Sequence, residues 1–128
     1  MRPFSYLLAG LGLALTTCTS EAPVAPCYAG IVLGETCLDG VLIQVDAAYP
    51  IGRPAKFRFT RTDSIAGNNV VAAVNDLGDL NRRGQRVYFS YAGDTVQSGP
   101  ARVCSALYAP LPVPHAVLTN LSATSCAN

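Results

Sequence analysis

His115 is the single histidine of this 128-residue chain and the first side chain to weigh as a base or a metal ligand. It follows Pro114, with no cysteine or paired carboxylate at ligand spacing, so it reads as an exposed strand-end side chain, and no metal or other cofactor is expected. Catalysis has little else to draw on. None of the serines sits in a G-x-S-x-G turn, and the folded part offers scattered aspartates and one glutamate, Glu35, so the chain is read as no enzyme, with a secreted enzyme the least favoured class. Asn75, Asp76, Asp79 and Asn81 crowd one short stretch. An EF-type calcium loop needs alternating oxygen ligands, a glycine at its sixth position and a glutamate at its twelfth, and this spacing fails, which leaves capping and solvation of a short helix. Arg53, Lys56, Arg58 and Arg61 form one basic group, and Arg82, Arg83 and Arg86 a second. Lys56 and Arg58 with Tyr88 and Tyr91 make a candidate ligand face, working by charge and ring stacking. A charged outer face that keeps an apolar domain in solution accounts for the same residues and is the preferred reading.

The cysteines carry more. Arg2 precedes Tyr6 to Leu15, YLLAGLGLAL, an uncharged apolar segment too short for the roughly 20 residues of a stable membrane span, hence an export signal. Leu15-Thr16-Thr17-Cys18 then resembles the lipobox of bacterial lipoproteins, with Thr17 where Gly, Ala or Ser is usual. The resemblance implies that residues 1–17 are removed, that Cys18 takes the lipid (palmitate among its acyl chains), and that the protein is a membrane-anchored envelope lipoprotein facing the periplasm. Thr19 is not the aspartate of inner-membrane retention, which favours the outer membrane. Ordinary cleavage after Ala22 or Ala25 is the alternative. Cysteine parity favours acylation, because setting Cys18 aside from the five leaves Cys27, Cys37, Cys104 and Cys126, an even set for two disulfides outside the cytoplasm.

Loss of Arg2 lowers Lys plus Arg from 9 to 8 against 8 Asp plus Glu, so the mature chain is formally neutral and no nucleic acid partner is expected. The small, proline-rich stretch to residue 26 is a tether (18–26), and residues 27–128 form the one domain that this length supports. Short apolar runs between Gly and Pro predict strands at Ala29–Gly34, Val41–Val45, Lys56–Arg61, Val70–Val74 and Val87–Tyr91, and a closing strand at His115–Leu121. Phe57 and Phe59 alternate with charge and are expected on a core face, while the Val70 run reads as a strand buried on both faces. Between it and Val87 a short helix is predicted, with Asp76 as its cap, Leu77 and Leu80 on one face and Gly84 closing it. Thr62–Asn69 is expected to be a polar turn, Ala92–Pro100 an exposed loop, Arg102–Tyr108 a candidate strand and Ala109–Pro114 a stiff connector.

The expected fold is therefore all-β with one short helix, a small OB-like, Greek-key barrel of five to six strands. A cysteine before a GVLIQVD strand (Cys37, then Gly40 to Asp46), a YPIG turn (Tyr49 to Gly52) and LGDLNRRGQRVYFSY (Leu77 to Tyr91) resemble small OB-like envelope lipoproteins of bacteria over residues 27–126. The resemblance speaks to fold and assigns no functional residue. A structural or binding role follows as the leading class, with a module for glycans, small envelope molecules or an envelope protein as the competing one. An extended first strand separates Cys27 from Cys37 by roughly 30 Å, beyond the reach of about 7 Å between bridged Cα atoms, which favours the nested pairs Cys27–Cys126 and Cys37–Cys104. A tight hairpin at Gly34 would instead permit Cys27–Cys37 and Cys104–Cys126.

Overall fold

A computed structural model of the chain describes residues 18, 26–91, 103–104 and 109–126. The expected signal 1–17, most of the expected tether, the loop 92–100 and most of the candidate strand 102–108 lie outside the described residues.

The strands are β1 (Tyr28–Thr36), β2 (Gly40–Val45), β3 (Arg53–Arg58), β4 (Ser64–Ala73), β5 (Arg86–Ser90), β6 (His115–Ala116) and β7 (Thr119–Ser122). They form one seven-stranded sheet in the order β3-β4-β2-β1-β5-β7, with β6 parallel to β4 and the other pairings antiparallel. The sheet has more strands than the five or six expected, and its hydrogen-bonded path is open. β6 and β7 follow one another directly, so one C-terminal segment addresses both β4 and β5.

The central strands are apolar on both faces, and each face has its own core. Val32, Ile43, Val45, Val71, Val87, Phe89 and Leu118 fill the inner one, flanked by Tyr28, Leu80 and Tyr91. Leu42, Ile65, Val70, Ala72 and Val113 fill the outer one, with Leu33, Ala55 and Leu111 against it. Val70 and Val71 are adjacent and both fully buried, as the two-sided reading of their run requires. The outer core exists because the β3–β4 hairpin folds back. Where the register slips, between Arg53 opposite Val70 and Ala55 opposite Gly67, Gln44 fills the broken ladder, accepting from the Asn68 N–H at 3.1 Å and donating to Asn68 Oδ1 at 2.6 Å. Asn69 pins the adjacent loop, donating to the carbonyls of Val45, Asp46 and Tyr49 and accepting from Gly52 N–H.

Local expectations shift accordingly. Ser64 to Asn69 is strand rather than turn, because pairing with β3 supplies the order that its polar composition does not advertise. The turn lies at 60–63, where Thr60 Oγ1 accepts from Asp63 N–H at 2.9 Å. β3 begins at Arg53 and accommodates Pro54, as an edge strand can. The expected helix is a single 3-10 turn, Gly78–Leu80. Gly78 has φ +56, outside the helical region, and the Asp76 carboxylate caps its N–H at 2.8 Å, so a local turn replaces the helix start. Gly84 is left-handed, as expected, and Leu77 is buried.

Cys27 is bonded to Cys126 and Cys37 to Cys104, with Cα–Cα distances of 5.8 and 5.9 Å. β1 is extended between Cys27 and Cys37, which keeps those two apart. Two bridges of such sequence span belong to an oxidising, extracytoplasmic setting. Among the described residues, Cys18 is the cysteine outside a disulfide, and no helix is long and apolar enough to cross a membrane.

Candidate functional site

The turn from β1 to β2 carries the least expected group. Asp39, a turn residue by sequence, points inward and is 3% exposed. Its Oδ2 accepts from Thr36 Oγ1 at 2.7 Å, and its Oδ1 accepts from Leu111 N–H at 2.8 Å and lies 2.8 Å from His115 Nε2. The other ring nitrogen of His115, Nδ1, is 2.8 Å from the Val113 carbonyl. His115 is thus half-buried and doubly bound, not an exposed strand-end residue. Because Asp39 stands between Thr36 and His115, the histidine does not face the hydroxyl, and both ring nitrogens are already engaged. A nucleophile–base pair needs a histidine nitrogen directed at the nucleophile. These residues instead tie the β1–β2 turn, the 109–114 connector and β6 together.

The candidate ligand face is dispersed. Lys56 and Arg58 lie exposed on β3, whereas Tyr88 is on β5, with β4, β2 and β1 between them in the sheet order. Tyr88 lies beneath the Arg86 guanidinium, 5.6 Å from its ring centre. Arg86 also grips Asp46 through both terminal nitrogens; that carboxylate first, and Tyr88 second, push the guanidinium pKa further above its ordinary value. Tyr91 lies tilted against Tyr28, ring centres 5.3 Å apart, and the Tyr28 ring meets Tyr49 edge-on at 5.5 Å. The amide and carboxylate stretch is spoken for in separate directions. Asn75 clamps both backbone groups of Leu118, Asp76 caps Gly78, and Asn81 donates to Glu35 at 2.8 Å.

What does form a hollow are residues that sequence spacing does not link. Phe57 and Phe59, expected in the core, sit at its edge instead: Phe59 is 38% exposed, and the two rings meet edge-to-face at 4.7 Å. They face the end of β1 and its turn, enclosing a cavity of about 200 Å³ with Thr36, Cys37, Leu38 and Ala109. A second hollow of about 290 Å³, lined by Gly34, Asp63, Asn81 and Arg83, adjoins it through Glu35 and Phe59, which belong to both. Arg83 is fixed there. Its Nε donates to the Leu33 carbonyl at 2.8 Å, its Nη1 pairs with Asp63 at 3.0 Å, and its guanidinium lies over the Phe59 ring at 5.7 Å. The first hollow is mostly apolar and aromatic, with Thr36, Asp39 and Glu35 also in its wall; the second holds both signs of charge. The alternation of Phe57 and Phe59 was the one signal in the sequence, and it is equally the signal of an ordinary core face.

Among the described residues no group of three His, Cys, Asp or Glu side chains is arranged to hold a metal. Compared with known protein families, curated proteins and solved structures, the chain finds no match.

Proposed function

We propose that this chain is an envelope lipoprotein of the bacterial type: exported, acylated at Cys18, tethered through residues 18–26 to a membrane, with the outer membrane favoured, and serving a structural or binding role. The observation that carries the reading is the fate of the cysteines. Four are joined in bridges of sequence separation 99 and 67, and Cys18 stands exposed outside them. Acylation uses a single N-terminal thiol and needs no partner, which is the state in which the pairing leaves Cys18.

The OB-like barrel belongs to the same proposal. β1 pairs with both β2 and β5, the C-terminal segment contributes a parallel β6 to β4 and an antiparallel β7 to β5, and the 3-10 turn lies between β4 and β5. That pairing agrees with a partly open Greek-key barrel. The double hollow favours binding over a purely structural role, for a glycan, a small envelope molecule or a segment of an envelope protein. Intact mass of the membrane-extracted protein, with and without reduction, tests the reading. The expected chain begins at residue 18, carries acyl mass, and gains four hydrogen atoms when its two disulfides are reduced. A water-soluble chain without added mass and with its thiols free would refute it.

A further inference from the structure

We propose that the double hollow at Phe59 is a binding site for a small zwitterion bearing one apolar group, the chemistry of a free aromatic or branched-chain amino acid. This deepens the binding role proposed above and rests on it. Together the two hollows reach the lower part of the range of about 300–1,000 Å³ typical of small-ligand sites. The apolar chamber suits one ring or one branched aliphatic group. Phe57 and Phe59, whose rings meet edge-to-face at 4.7 Å, both line it.

The neighbouring chamber sets the polar end of the ligand. It places the Arg83 guanidinium beside the Asp63 carboxylate, with Glu35 on the shared wall. A ligand with one charge would displace water from both signs and satisfy one of them. A zwitterion meets both, with its carboxylate toward Arg83 and its ammonium toward the acidic side chains, and that is a basis for discrimination as well as affinity. Arg83 is already ordered by the Leu33 carbonyl and by the Phe59 ring, so binding does not have to immobilise it. Phe59 touches both chambers and couples the two halves of the ligand.

Equilibrium dialysis of the full chain, as extracted from expressing cells, tests this with L-phenylalanine and L-leucine as probes. Both are expected to saturate with Kd at or below about 1 mM. Glycine lacks the apolar group, and phenylacetate and phenethylamine each lack one charge, so each is expected to bind at least about tenfold more weakly. Phe59→Ala and Arg83→Gln are expected to weaken L-phenylalanine by about tenfold, and Arg53→Ala, exposed on the same hairpin outside both hollows, to leave it unchanged. Absence of saturable binding up to about 10 mM, equal binding of a single-charge analogue, or parental affinity in both hollow variants would overturn the assignment. Membrane partition and intact mass of the same preparation separate the two readings. A lipidated chain that binds neither probe removes the ligand alone, and a chain that binds both but lacks acyl mass removes the anchor alone.

Discussion

Asp39 answers to three donors from three segments, and it is 3% exposed, so its removal strands more than its own interactions. Asp39→Ala leaves the Thr36 hydroxyl, the Leu111 N–H and the His115 ring without their acceptor. Breaking a buried pair from one side costs about 3–5 kcal/mol, and that loss is expected in the urea-unfolding free energy. His115→Ala is expected to cost less, about 1–3 kcal/mol, because Asp39 keeps two of its donors. The double variant should fall short of the sum of the singles, since both act on one network. This contact could not be read from the sequence. Asp39 precedes Gly40 and carries an ordinary turn signal, while its partner lies 76 residues on, and nothing local joins them. The partners of Asn75 and Asn69 are illegible for the same reason: their bonds run to backbone groups of distant segments, whereas the sequence assigns Asn75 only to capping and solvation of a short helix. Cysteine pairing was more legible, because an extended β1 holds Cys27 and Cys37 apart whatever the rest of the fold does.

β4 has no wet face along its second half. Val70 belongs to the outer core and Val71 to the inner one, so substituting either with threonine buries a hydroxyl where a methyl was. Val70→Thr and Val71→Thr are both expected to destabilise by about 1–3 kcal/mol in chemical denaturation, whereas a half-exposed strand would tolerate one of the two. Arg58→Thr, on the exposed side of β3, should stay within about 0.5 kcal/mol. The unbroken apolar run from Val70 made this burial visible in advance. The first half of β4 was not visible, because Ser64, Asn68 and Asn69 owe their extended form to β3 and Gln44 rather than to their own propensities. The hollow was lost with it: Phe57 and Phe59 are placed by a hairpin that folds back, and their alternation cannot distinguish a core face from a cavity wall.

The whole molecule is stapled at both ends of β1. The Cys27–Cys126 bridge closes a loop of sequence separation 99 and the Cys37–Cys104 bridge one of 67. Replacing either pair by serine is expected to lower the unfolding free energy by about 2–5 kcal/mol, with the larger loss for the longer loop, and reductant should lower the parent's unfolding midpoint likewise. Unfolding curves with and without reductant check both. Composition and cysteine count made the small β-rich domain and the compartment legible. They could not reveal that the β3–β4 arm would cover the outer face of the sheet.

The bridge from Cys27 to Cys126 gives the molecule two poles. Both ends of the domain meet at one of them, while the double hollow opens near the far end of β1, whose 9 residues span roughly 30 Å. Anything that grips the chain upstream of residue 26 therefore holds the pole remote from the opening. A pull applied between the two ends of the domain is borne by a covalent sulfur link, so the hydrogen-bonded ladders between the cysteines carry none of that load.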